Sequence, residues 1–98
     1  MTALRRTVVL CRPDTPGREI HRMASRYGLE VVYTVFTDIE SSQLTALIAI
    51  QHIIENGAEV LVVPHLTAPW IAGIRHWAAV RAAARIIGSD GPVEESTR

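Results

Sequence analysis

His65 follows the most apolar run of the chain, Val60-Leu61-Val62-Val63-Pro64. A histidine there could act as acid, base or ligand, because its charge changes near neutral pH. A second group of chemically capable residues follows the run Thr7-Val8-Val9-Leu10-Cys11: Arg12, Asp14, Thr15 and Arg18. Guanidinium groups beside the start of a helix make an anion site. Asp14 opposes it, since a carboxylate repels phosphate and can satisfy the same backbone N–H groups itself. The sequence thus favours a self-capped loop, with Arg12, Thr15, Arg18 and His65 as the candidate ligand or anion pocket. An acid–base pair of Asp14 and His65 requires both side chains in one pocket.

Other chemistries are poorly served. The first loop has one glycine, Gly17, where a dinucleotide fingerprint needs three, and no Gly-Lys-Ser/Thr occurs. His21, His52 and His76 fall on separate predicted helices, and the one cysteine, Cys11, cannot complete a zinc site. Ser25, Ser41, Ser42, Ser89 and Ser96 have no histidine or lysine partner in sequence. Neither a cofactor nor a metal is expected.

The elements that must position these residues read as an alternating series. Thr7–Cys11 and Val31–Phe36 are β-branched, apolar runs and predict strands. Val60–Val63 has no polar alternation, as in a strand buried on both faces of a parallel sheet. Thr15 is a candidate N-cap with Pro16 at the first helical position. Ile20, Met23, Ala24 and Tyr27 then mark one buried helix face, and Gly28 ends the helix. Ser41 or Ser42 caps a second helix, in which Leu44, Leu47, Ile48 and Ile54 form the expected apolar face, with Ala46, Ile50 and Ile53 beside it in a wide apolar arc. A third helix begins near Pro69 and runs through an alanine-rich stretch, and Arg85-Ile86-Ile87 starts a fourth strand. The order predicts an α/β fold: a small three-layer domain with a mainly parallel sheet of about four strands and three helices, of flavodoxin-like, Rossmann-like kind. It spans 1–88, with a flexible polar tail over 89–98.

With 98 residues and 48% hydrophobic content, the chain is one globular domain. No stretch approaches the ~20 apolar residues of a membrane span, and a cytoplasmic location is expected. The net charge of zero gives the whole molecule no pull toward DNA or anionic membranes. Its distribution is uneven: six of the ten basic residues, all arginine, lie between Arg5 and Arg26 against Asp14 and Glu19, a formal +4. Arg18, Arg22 and Arg26 form a stripe on the first helix and are the candidate nucleic-acid contacts. Trp70 and Trp77, seven residues apart with Arg75 and Arg81 nearby, are the candidate protein interface, a setting in which Trp and Arg are enriched.

From about Thr7 to Gly88 the chain resembles the catalytic domain of serine recombinases, the resolvase and invertase family. The opening Val8-Val9-Leu10-Cys11-Arg12 with Pro13-Asp14-Thr15 is similar to the family's tyrosine-or-cysteine, arginine, valine, serine, threonine segment. Gln43–Val63 looks like its helix-turn-strand block, and His65-Leu66-Thr67 falls where the family has lysine, leucine, aspartate, then arginine. The resemblance implies a resolvase-like fold with its chemistry removed. Asp14 occupies the position of the nucleophilic serine, Thr67 that of the carboxylate and Ala68 that of the next arginine; only Arg12 survives. It also implies that the family's dimer helix and helix-turn-helix are missing. The expectation is a catalytically inactive protein-binding or regulatory module, with a protein partner or a second copy and no membrane. Backbone binding of DNA or ribosomal RNA through the arginine stripe is the alternative, and a small-ligand site at the strand carboxyl ends the second alternative.

Overall fold

A computed structural model describes residues 3–94. Its elements are β1 (Arg5–Cys11), α1 (Gly17–Tyr27), β2 (Leu29–Phe36), α2 (Ser42–Asn56), β3 (Val60–Val63), α3 (Ala68–Gly73), α4 (Ala78–Ala83), β4 (Arg85–Gly88) and β5 (Gly91–Pro92), with a 3₁₀ turn at Arg75–Trp77 between α3 and α4. The sheet order is β2-β1-β3-β4-β5. The first four of these are parallel, and β5 adds an antiparallel edge. Val32 is an extra residue in β2, since Thr7 pairs with Val31 and Val8 with Tyr33.

Alternation along the strands divides the core into two layers. Val8, Leu10, Leu61, Val63 and Ile86 face α2, α3 and α4, where they meet Ala46, Ala49, Ile53, Ile71, Trp77 and Val80. Val9, Cys11, Val60, Val62 and Ile87 face α1, where they meet Met23 with Ile20, Ala24 and Tyr27. All four residues of β3 are buried, as a strand covered on both sides must be. The three-layer α/β architecture expected from the sequence is therefore present.

Local details differ from expectation in four places. Pro16, not Thr15, is the N-cap of α1, and no side chain bonds there, so Asp14 does not cap the helix. Thr15 instead closes a turn through its N–H to the Arg12 carbonyl at 3.0 Å. In α2 the inward residues are Thr45, Ala46, Ala49 and Ile53. The two alanines let the helix lie close on the sheet, and most of the expected face is turned outward: Leu47 is 57% and Ile54 71% exposed, while Ile48 packs partly against the core.

The expected single third helix is broken. Ile74 adopts extended backbone (φ −92°, ψ 119°) between α3 and the 3₁₀ turn, giving four α-helices among the described residues. Finally, the start of the expected tail is folded. Gly91 and Pro92 pair with Gly88 and Ile87, Val93 donates its N–H to the Ile86 carbonyl at 2.8 Å, and the Val93 side chain is buried. Apolar contact of Val93 with the α2-side core holds this turn of chain in place. Residues 95–98, including Ser96, lie outside the described residues.

Candidate functional site at the carboxyl edge of the sheet

Ligands in open α/β sheets gather beyond the carboxyl ends of the strands. At this edge, between β1, β3 and the α2 side of the molecule, lies an open cleft of about 220 Å³. Arg12, Ile39, Glu40, Ser42, Thr45, His65, Leu66, Trp70 and Trp77 line it.

Each wall has a local cause. Arg12 immediately follows β1, whose last carbonyl, at Cys11, accepts the Thr37 N–H at 2.9 Å and fixes the exit of β2. The next segment winds into α2 through an ST turn, with the Ile39 N–H bonded to Thr37 Oγ1 at 3.1 Å. Ser41 then caps α2 by accepting from the Leu44 N–H at 3.3 Å, one of the two caps the sequence offered. Buried Thr45 ties this segment down by donating to the Ser41 carbonyl at 2.7 Å.

The opposite wall is the loop from Pro64 to Thr67. It turns on a Leu66 N–H to Val63 carbonyl bond of 3.3 Å and is clasped from behind by the chain after β4. The Ser89 N–H donates to the Leu66 carbonyl at 2.7 Å, and Asp90 Oδ1 accepts the Ala68 N–H at 2.8 Å. Thr67 Oγ1 accepts the Trp70 N–H at 3.4 Å and caps α3. Thr67 thus serves as a helix cap, and the Ala68 backbone N–H is already bonded.

The break at Ile74 decides what the two tryptophans do. Trp70 stands 44% exposed at the cleft, while Trp77 is 0% exposed in the core. Trp77 is therefore not a surface anchor. Arg81 is half-buried and donates Nη1 to the Ile71 carbonyl at 3.1 Å, closing the end of α3. Of the expected interface set, Trp70 and Arg75 remain at the surface. The Trp77 indole Nε1 is buried and has no hydrogen-bond partner among the described residues, a condition that costs free energy wherever it is left uncorrected.

The expected anion pocket separates into parts. Arg12 and His65 share the cleft. Thr15 faces the Cys11 thiol instead; burial raises the pKa of that thiol, and the Thr15 side chain partly lowers it. Arg18 lies elsewhere, in a groove with Pro16, Glu19 and Arg22. Asp14 does not line the cleft, so it forms no acid–base pair with His65. Partial burial of the His65 ring, and secondarily the Arg12 charge, lower the His65 pKa below its ordinary value. Neutral imidazole is the form present at pH 7, offering one donor and one acceptor.

No match was found among protein families, curated proteins or solved structures. The site therefore rests on its own geometry.

One contact had no signal in the sequence. Ser42 Oγ lies 3.2 Å from His76 Nδ1, joining α2 to the 3₁₀ turn across 34 residues. Among the described residues no carboxylate lies within ion-pair distance of His76, so the pair lacks the third group that orients a catalytic histidine. It pins the cleft rim instead. Glu40 had no signal either, since it belongs to a loop that only the folded chain brings to the cleft.

The arginine stripe forms as expected. Arg18, Arg22 and Arg26 are exposed along α1; Arg22 lies 3.9 Å from Glu19, and Arg26 sits over the Tyr27 ring at 5.4 Å. Among the described residues no group of three or more His, Cys, Asp or Glu side chains could hold a metal, and no helix is long and apolar enough to cross a membrane.

Proposed function

We propose that this chain is a small-molecule-binding regulatory domain whose ligand occupies the cleft between Arg12, His65 and Trp70. The observation that carries the reading is the convergence of Arg12, His65, Trp70 and Trp77 on one cavity, from four separate places in the chain. Apolar walls with a few converging polar groups are the usual composition of ligand sites. A larger cavity of about 340 Å³, lined by Arg81, Ala84, Arg85, Ile86, Val93 and Glu94, lies at the amino end of β4, the wrong edge for an α/β ligand site.

The proposal includes no chemical step. Asp14, Thr67 and Ala68 supply neither the nucleophile nor the clamp of a recombinase, and Arg12 serves as a ligand anchor. Nucleic-acid contact through Arg18, Arg22 and Arg26 is the second reading, supported by the unobstructed exposure of that stripe. It requires affinity that falls steeply with salt.

The test is a fragment screen by tryptophan emission, using Trp70 as the reporter. Binders should shift the emission, and Trp70→Phe should remove the signal. Arg12→Ala should weaken binding on the order of tenfold, the size of one lost charge-assisted contact. Binders that map to Arg18 and Arg22, or an emission unchanged by the whole library, would reject the reading.

A further inference from the structure

The two edges of the sheet are unequal. One ends in β5, a two-residue strand that includes Pro92, a short edge of the kind that resists further pairing. The other is β2, eight residues long, and nothing among the described residues pairs with its outer side. Its sequence has no proline or lysine, and its one charge is Glu30. Tyr33 and Phe36 stand about half exposed on it. Long apolar edges in natural proteins are blunted, covered or paired. Independently of the ligand reading above, we propose that β2 pairs antiparallel with β2 of a second copy, about a two-fold axis at Thr34, joining two five-stranded sheets into one.

The backbone sets the register. Regular pairing with β1 resumes after the extra residue Val32 and runs from Tyr33 to Phe36. The Thr37 N–H points into the sheet, to the Cys11 carbonyl. Alternation therefore turns the N–H and C=O groups of Thr34 outward. Two outward residues opposite one another in an antiparallel pair exchange both bonds, and an axis at Thr34 supplies the same residue from each copy. That axis also sets Tyr33 opposite Val35 twice on the α2 face, and Thr34 opposite Thr34 on the α1 face. Aromatic with β-branched, and Thr with Thr, are both favourable cross-strand pairs. An axis at Tyr33 would draw the bulge residue Val32 into the central bonds. An axis at Val35 would set Tyr33 opposite Thr37, where the chain leaves the sheet.

The same symmetry extends the contact beyond the strand. A continuous sheet keeps each α2 on one face, beside the other. Leu44, Ile48 and His52 follow at i, i+4, i+8 on one flank of α2, and the His52 ring stacks on Tyr33 at 4.9 Å. That flank therefore adjoins the open edge. Tyr33, Phe36, Leu44 and the half-buried residues beside them offer roughly 600 Å² per copy, at the lower bound of a specific interface, ~1,200 Å² in all. The stretch Val31–Thr37 is uncharged and the whole chain has zero net charge, so two copies do not repel. The result is a reversible dimer with a Kd on the order of 10 μM.

Sedimentation equilibrium of the full chain between about 1 and 500 μM tests this, with circular dichroism to confirm folding of each variant. The wild type should pass from monomer to dimer in that range. Thr34→Pro removes the outward N–H and leaves the β1 ladder in place, and Tyr33→Lys puts a charge on each side of the axis; both should stay monomeric throughout. Leu47→Glu, on the outward face of α2, should dimerise like the wild type. Under mild oxidation Thr34→Cys should cross-link two copies, since the opposed Cα atoms of such a pair lie about 5.5 Å apart, within disulfide reach. The wild type, whose Cys11 is buried, should not. A wild type that stays monomeric throughout would overturn the proposal. A dimer lost in Leu47→Glu and kept in Tyr33→Lys would overturn it in favour of contact through α2. A dimer that Thr34→Cys fails to cross-link would overturn the axis at Thr34.

Discussion

The two faces of the sheet are covered in different ways. On one side α1 lies alone over a thin layer: Met23 is its only buried residue, and Arg18, Arg22 and Arg26 point to solvent. On the other side α2, α3, the 3₁₀ turn and α4 enclose a deep layer with Trp77 and Ile71 at its centre. The thin side leaves its cations in water, where they interact weakly with anything smaller than a polyanion. The thick side has enough bulk to hold Arg12 and His65 against apolar wall, where a single charge has more effect. Charge density and the cleft at Arg12 and His65 therefore fall on opposite faces.

The largest expected effect tests that asymmetry directly. Trp77→Ala should destabilise the fold by about 3–5 kcal/mol, and Met23→Ala on the α1 side by about 2 kcal/mol. Urea unfolding followed by circular dichroism measures both. Equal losses would mean that the two layers contribute alike and that the contrast is one of charge only.

A smaller effect probes how the cleft is held. A Cβ on Gly88 would lie 2.6 Å from the Leu66 carbonyl oxygen and 2.9 Å from the Ala68 nitrogen, both backbone atoms. Gly88→Ala should therefore cost about 2 kcal/mol through overpacking and displace the loop that carries His65. Gly73→Ala, where nothing lies within 4 Å of the added carbon, is the matched control. Chemical shifts of His65 and Leu66 should move in the first variant and stay in the second.

The smallest effect is a pH dependence. The His65 pKa is lowered in the fold, by desolvation first and Arg12 second. At pH values below about 6.5 the unfolded chain therefore binds a proton that the folded chain refuses. This contribution to stability is complete above about pH 6.5, declines as pH falls toward the folded value, and then levels off. Glu40 also lines the cleft, and His76 is tied to the same rim through Ser42. His65→Gln should flatten that part of the stability profile, measured by thermal unfolding between about pH 5 and 8, bracketing the free histidine pKa. An unchanged slope would show that His65 is solvated in solution like any surface histidine.

The sequence announced the elements that depend on local patterning. The unbroken run Val60–Val63 marked the central strand, and Ser41 and Gly28 marked helix ends that each appear in the fold. It could not announce features that depend on distant partners. Trp70 and Trp77 are seven residues apart, which on a continuous helix puts them on one face. The extended residue Ile74 breaks that phase and sends Trp77 inward; Gly73 just before it, a poor helix former, was the one local sign of the break. The outward turn of Leu47 and Ile54 follows from the close seat of Ala46 and Ala49, a packing choice invisible to periodicity. The folding of Gly91–Val93 rests on contact with the α2-side core, so a polar composition there gave the wrong expectation. Of the site, Arg12 and His65 were legible as strand-end residues, whereas Glu40, Ser42 and the orphan indole were not.

The clasp between Ser89–Asp90 and the Leu66–Ala68 loop has a consequence for time as well as for shape. The loop that carries His65 is bonded to a stretch of chain that comes after the last parallel strand. The two cannot open separately without breaking those bonds, so they share one opening equilibrium. A molecule that held the loop shut would slow hydrogen exchange at the Ser89 amide, and strain applied to the final hairpin would weaken its binding by the same free energy. Any event at the cleft that acts through this loop would then be felt at the end of the described chain.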